Sequence, residues 1–241
     1  MRTLALVAIT LAAPAAAQTV FTLPQGCEGL VTIQKRSCSV TSLFSCAADP
    51  EGWQRRVDFD EQGMTYAGVI DAETQWIESW QPLAGATETL SPGAVDPASF
   101  SGLLATGADT FDFETLTQPG GYVTIFRGQD RLIGETVVID GVTLDRTEFA
   151  VSAYDEAGNE LWRTWGSEYI HRDWRTFIAG TRTNRTATEE WTSDNSPVEF
   201  IFPGEAGFLS STPRHDCGAM LSMAPGRTDG GIVSPAAYSR N

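Results

Sequence analysis

The feature that most constrains this chain is a spacing. Short runs rich in β-branched and aromatic residues are broken by Gly, Asp, Asn or Pro about every 10 to 15 residues, the rhythm of an antiparallel β protein. "GLVTIQKRSC" from Gly29, "WQRRVDFD" from Trp53, "MTYAGVI" from Met64 and "TQWIESW" from Thr74 read as the first strands. "TFDFETLT", "GYVTIFRG", "RLIGETVVIDG", "VTLDRTEFAVSAYD", "NELWRTWGSEYIHRD", "WRTFIAGTRT", "TATEEWTS" and "VEFIFPG" continue the series. No apolar periodicity of helical length lies between them, which argues against a parallel sheet, whose crossovers need helices. The expected fold is therefore mainly β: a large antiparallel sheet, curled into a half-barrel or barrel, with a β-sandwich as the alternative.

One segment departs from the pattern. In "SPGAVDPASFSGLLATGAD", Asp96 can cap a helix with Pro97 at its first position, and Phe100, Leu103 and Leu104 share a face. Gly107 supplies a stop, so the spacing predicts one short helix near residues 97–106, lying against the sheet.

The stretch from Tyr154 to Thr183 is dense in tryptophan, yet it reads as paired strands. Asp155, Gly158 and Asn159 suit a hairpin turn, and a second reversal falls near His171, Arg172 and Asp173. Its tryptophans are expected to pack and pair across strands. Alternation places Trp76, Glu78 and Trp80 on one face of their strand and Ile77 and Ser79 on the other.

The opening "MRTLALVAITLAAPAAAQ" has an Arg, an apolar run from Leu4 to Ala13 and the small residues Ala15 to Ala17. That is the order of a secretory signal peptide, expected to be cleaved near Ala17. The domain reading is a leader over residues 1–17, a single β-rich domain over 18–222 and a mobile tail over 223–241. The localisation that follows is periplasmic or secreted, with no transmembrane segment.

Four cysteines in an exported chain are expected to be oxidised. Of the three pairings, Cys38 with Cys46 and Cys27 with Cys217 is the expected one: a short loop and a tie between the ends. The formal charge of −15, from 31 acidic and 16 basic residues, repels phosphate backbones and makes nucleic acid a poor partner.

No motif of a hydrolase, kinase, metalloprotease or dinucleotide-binding protein occurs. His171 at a turn and His215 two residues before Cys217 read as structural, and no catalytic residue, metal site or cofactor is assigned. Asp58, Asp60 and Glu61 before Gly63 resemble the start of a calcium loop, but position twelve is Val69, which cannot supply the closing carboxylate. Arg182 and Arg185 in "TRTNRTATEEW" read as charges on an exposed edge hairpin that deter aggregation.

A bent sheet with a short helix on its concave side is similar in outline to exported carriers such as the outer-membrane lipoprotein carriers, although none of their residue motifs is present. This outline implies a concave face lined by Trp76, Phe126 and Trp174, with Phe100, Leu103 and Leu104 as its lid, holding an amphipathic or apolar small molecule. The leading expectation is thus a non-catalytic exported binding or carrier protein. A structural or protein-interaction module of the cell envelope with a filled core is the second, and a carboxylate-based hydrolase the third.

Overall fold

A computed structural model describes residues 19–218; the leader and tail readings lie outside them. In chain order the elements are β1 (Cys27–Lys35), β2 (Ser39–Cys46), β3 (Gln54–Asp60), β4 (Gly63–Ile70), β5 (Trp76–Gln81), β6 (Ala86–Leu90) and α1 (Phe100–Thr106). They continue with β7 (Ala108–Gln118), β8 (Tyr122–Ile139), β9 (Val142–Tyr154), β10 (Glu160–His171), β11 (Thr176–Ile178), β12 (Thr181–Thr186), β13 (Glu190–Asp194) and β14 (Pro197–Ile201). The expectation of a mainly β fold built on one large antiparallel sheet with one short helix holds. The sheet has 14 strands in the order β13-β12-β10-β9-β8-β7-β6-β5-β4-β3-β2-β1-β14, with β11 paired to β10.

The sheet curls without closing into a barrel. Its edge strands β13 and β14 are consecutive in the chain, separated only by Asn195 and Ser196. Three residue steps span roughly 11 Å at most, so the end of β13 and the start of β14 lie close together. The seam between them is stitched by Arg36 N–H donating to Ser196 O at 3.0 Å, Asn195 N–H to Gly180 O at 3.0 Å and Ser37 Oγ to Asp194 O at 2.6 Å.

Curling brings the inner faces of β1–β3 opposite those of β10–β12. β11 and β12 form one line along β10: the register runs Tyr169 opposite Ile178, then Gly166 opposite Arg182, leaving one extra residue at Ala179–Gly180. The backbones come so close there that a Cβ on Gly166 would lie 2.1 Å from Thr181 O, and one on Gly180 2.3 Å from Ser167 O. Only glycine fits this bulge.

The hairpin β8–β9 is long enough to cross the interior. A register shift between Leu132 and Thr136 bends it, and its tip packs Val142 and Leu144 onto Val31, Ile33, Leu43, Ile178 and Phe200. A second cluster, Phe111, Phe113, Phe126, Val151, Ala153 and Trp162, fills the concave face of β7–β10. On the outer face of β2 and β3, Val40, Phe44, Val57 and Phe59 are covered by Phe21 and Leu23. The segment after β14 clothes β1: Leu209 N–H donates to Thr32 Oγ1 at 2.7 Å and Arg214 N–H to Gln34 Oε1 at 3.0 Å. Both faces of β1 are therefore buried.

Three local readings need correction. The helix starts later than expected: Ser99, not Asp96, is the N-cap, its Oγ accepting from Gly102 N–H, while the Gly107 stop stands in the left-handed region at φ 85°. Asp96 instead pairs with Asp112 across an isolated bridge, so its backbone is committed to the sheet. Trp76 does not share a face with Trp80, because a register shift between Val69 and Ile70 turns Trp76 inward while Glu78 and Trp80 face solvent.

The cysteines are oxidised as expected, but the pairing is Cys27–Cys46 and Cys38–Cys217. Cys27 and Cys46 face each other directly across the β1–β2 ladder, a relation the 19-residue separation hid. Cys38, at the β1–β2 turn, is left for Cys217. Digestion of the unreduced protein should release these two linked peptide pairs. Replacing Cys38 and Cys217 together by Ser is expected to lower the urea midpoint more than replacing Cys27 and Cys46. The closed spans differ, 179 residues against 19, which corresponds to about 5 against about 3 kcal/mol of chain entropy.

Candidate functional site

The concave side carries two arrangements: a helix with its seat, and a buried group of charges. Helix α1 buries Phe100 and Leu103 against Ile170 of β10 and Phe177 of β11, with Leu104 and Leu132 alongside. Its N-terminus is latched by Glu73 in the β4–β5 loop. Glu73 accepts from Ser101 N–H at 2.8 Å, Ser101 Oγ at 2.7 Å, Ser99 Oγ at 3.1 Å and the Arg175 guanidinium at 2.8 Å. Partial burial pushes the Glu73 carboxyl up, but the hydrogen bonds from Ser101 and Ser99 and the charge of Arg175 hold it below the usual range. Arg175 also lies 5.0 Å over the Phe100 ring, so one side chain ties the β10–β11 turn to the helix and the loop.

The residues expected to line one pocket are divided among three clusters. Trp76 and Phe126 do meet, edge to face at 5.2 Å, within the aromatic cluster of β7–β10. Phe100, Leu103 and Leu104 belong to the helix seat. Trp174 lies elsewhere: it stacks on His171 at 3.7 Å and packs beside Phe200 and Phe202. Between β1–β3 and β11 is a cavity of about 10 Å³, lined by Ile33, Lys35, Thr41, Leu43, Arg56, Phe177, Ile178 and Ala179. That is room for about one water molecule.

Beside this cavity lies the group of charges, which the sequence reading missed. Lys35, Arg56, Glu168 and Arg182 are buried on the inner faces of β1, β3, β10 and β12, and Asp58 stands among them mostly shielded. Asp58 is the hub. Arg56 Nε donates to its Oδ1 at 2.9 Å, a second Arg56 nitrogen donates to Oδ2, Thr41 Oγ1 donates to Oδ1, and Lys35 Nζ stands 3.8 Å away. Burial alone would raise the Asp58 carboxyl, but Arg56 and Lys35 bring it down to about 2. Burial lowers Lys35 to about 8 against the opposing pull of Asp58. Glu168 has the reverse fate: burial raises it to about 8, and Arg182 and Arg56 offset only part of that. Its Oε1 has no hydrogen-bond partner, nor do Thr147 Oγ1 and Thr176 Oγ1. Arg182 is lowered to about 10 by burial and by Arg56.

This overturns one expectation. Arg182 is not an edge charge in solvent; β12 alternates so that Arg182 and Asn184 point inward. Asp58, Asp60 and Glu61 do not converge as calcium ligands: Asp58 faces the interior cations, while Asp60 Oδ1 accepts from Gln62 and Gly63 N–H in the β3–β4 turn. Glu61 lies instead near the sulfurs of Cys38 and Cys217, which are joined in a disulfide and are not thiolate ligands.

His171 is half-buried, not exposed, and its Nδ1 accepts from Trp174 N–H at 3.2 Å; burial lowers its pKa. His215 Nε2 stands 3.6 Å from Glu199 Oε2. Comparison with protein-family models, with curated proteins and with solved structures finds no match.

The charge group makes stability depend on pH in separable windows. Glu168 has a folded value of about 8 against an ordinary 4.5. Its contribution is complete below about pH 4.5 and is lost as pH rises through about 8. Lys35 acts above that window: its folded value of about 8 lies below 10.5, so its burial penalty is relieved only between those values. Wild type is therefore expected to lose stability on the order of a few kcal/mol between pH 5 and pH 8 through Glu168, measured by urea unfolding. Glu168→Gln should remove that part of the slope, and since both proteins contain His171 their difference isolates Glu168. Asp58→Asn leaves Lys35 and Arg56 without their counter-charge and is expected to cost about 3–5 kcal/mol in the same assay.

Proposed function

We propose that the protein is an exported, non-catalytic module of the cell envelope that acts through its outer surface on a protein partner. The observation that carries this reading is the filled concave side. Helix α1, the aromatic cluster and the tip of β8–β9 occupy it, and the cavity beside the charge group measures about 10 Å³. Small-molecule sites commonly measure about 300–1,000 Å³.

Two disulfides with no free cysteine among the described residues suit an oxidising compartment. No helix of those residues is long and apolar enough to cross a membrane. With a leader cleaved near Ala17, the finer location is the periplasm or the exterior. The surface offers two edge ladders: among the described residues β13 pairs with β12 alone and β14 with β1 alone, so backbone groups on their outer rows are open to an added strand away from Asp194 O, which accepts from Ser37 Oγ. Glu168, whose pKa burial raises to about 8, is enclosed, which gives the hydrolase reading little support.

The carrier reading retains one favourable observation. Helix α1 covers an apolar seat on Ile170 and Phe177, and a displaced helix would uncover it. Native mass spectrometry of the protein purified from the periplasm, before and after organic extraction, separates the two. A single unchanged mass is expected for the interaction module. A mass excess that vanishes on extraction would establish a carried apolar molecule instead.

A further inference from the structure

Four hairpin turns follow one another along one end of the sheet: β3–β4, β5–β6, β7–β8 and β9–β10. The register aligns them, with Ala67 opposite Trp80, Thr87 opposite Gln118 and Ile125 opposite Tyr154. The two middle turns are uncharged: no Asp, Glu, Lys or Arg occurs from Trp80 to Thr87 or from Leu116 to Phe126. These runs expose large apolar side chains, Leu83 at 71%, Tyr122 at 46%, Trp80 at 44% and Leu116 at 37%. Trp80 and Leu116 share the outer face of the sheet, because Thr87 joins Trp80 to Gln118, two residues from Leu116. Tyr122 leans over its turn, where a Cβ on Gly120 would lie 2.7 Å from the ring. Hydrogen bonds from Gly85 N–H to Pro82 O at 3.2 Å and from Gly121 N–H to Thr117 O at 2.9 Å hold both turns. A grouped apolar surface with Trp and Tyr in it is the composition of a protein contact.

The turns on either side are acidic. Asp60 and Glu61 stand in β3–β4, Asp155 and Glu156 in β9–β10, and neither turn contains Lys or Arg. Asp60 and Asp155 accept from backbone N–H groups of their own turns, while Glu61 and Glu156 are exposed. On the strands beside them, Arg55 and Arg127 are already paired with Asp49 and Asp112. The patch is thus an apolar centre between two negative ends.

That pattern selects the occupant. A second copy seated on the same patch would bring acidic ends against acidic ends. A bilayer surface would draw Glu61 and Glu156 toward headgroups, and anionic lipids repel them. A partner with cations on both sides of an apolar centre meets neither penalty.

We propose that the patch formed by Trp80, Leu83, Leu116 and Tyr122 docks a segment of a partner protein whose apolar side chains are flanked on both sides by Lys or Arg. This rests on the reading of the protein as a module that acts through its outer surface. The acidic turns lie six strand spacings apart, roughly 29 Å along the curve at about 4.8 Å each. In an extended segment the flanking cations therefore fall within about nine residues of each other.

The test places a photo-crosslinking amino acid at Leu83 in the full chain, within its own cells, and separately at Thr192 on the β13 edge; adducts are sequenced by mass spectrometry. The Leu83 adduct is expected to map to another protein, on a peptide with apolar residues between Lys or Arg at that spacing. Glu61→Lys combined with Glu156→Lys should cut the yield about tenfold and leave the urea midpoint in place, since both side chains are exposed. An adduct to lipid, to a second copy, to residues 219–241 or to a peptide without flanking cations would overturn the proposal, as would a yield indifferent to the charge reversal. A protein adduct at Thr192 with none at Leu83 sinks the patch and keeps the interaction module; no adduct at either position sinks both.

Discussion

Two residues, Asn195 and Ser196, carry the chain from one edge of a 14-stranded sheet to the other. An open sheet of that width left to its ordinary twist would hold its edges far apart. So short a link forces the sheet to curl until the end of β13 and the start of β14 meet. The rest of the interior follows from this. β1–β3 come to face β10–β12, the β8–β9 hairpin has a surface to cross to, and its tip is caught by Asp140 Oδ2, which accepts from Phe200 N–H of β14 at 2.8 Å. The Cys38–Cys217 disulfide sits at the β1–β2 turn beside Arg36, whose side chain reaches Asp194 and Asp216, so the longest covalent tie reinforces the seam.

A curled sheet that almost closes has an inside, and here that inside is partly ionic. The buried pairs of Asp58 with Arg56 and Lys35 contribute little net stability after desolvation. They do bear on register. A one-residue slip of β3 would expel Arg56 and Asp58 to the outer face and bring Val57 and Phe59 to the cations. Because Phe21 and Leu23 cover Val57 and Phe59 outside, the slipped register would lose packing on one side and ion pairing on the other. The two faces of β3 thus specify the same alignment by different physics.

The strand series, the hairpin at Asp155–Asn159, the reversal after His171 and the Gly107 stop were legible because each rests on local chemistry: turn residues, alternation and a left-handed cap. The Cys27–Cys46 pair was not, since it depends on ladder register and not on loop length. The alternation that grouped Trp76 with Trp80 on one face failed at a bulge, which adds a residue that alternation cannot detect. Arg182 was misread for a related reason: in "TRTNRT" both faces are polar, so nothing in the run marks which one turns inward. The charge group joins β1, β3, β10 and β12, and only the closure at Asn195–Ser196 brings those strands together. Phe126 and Trp76 could be matched by type as inward aromatics, whereas the separation of Trp174 from them depends on the long hairpin crossing between.

The same packing sets a lower bound on any guest of the concave face. Admitting one means lifting helix α1, which exposes Phe100 and Leu103 and breaks the Glu73 latch. Re-exposing one Phe and one Leu costs about 3–6 kcal/mol at roughly 1.5–3 kcal/mol each. An open state at that height is populated in about one molecule in 10² to 10⁴. A guest must return that free energy before it gains any affinity, which at about 0.8 kcal/mol per buried methylene asks for roughly four to eight methylenes. Small polar metabolites cannot meet that demand, and a long acyl chain can. The fold therefore resists casual occupancy, and of these guests only a long apolar chain that replaces the helix could repay the cost of entry.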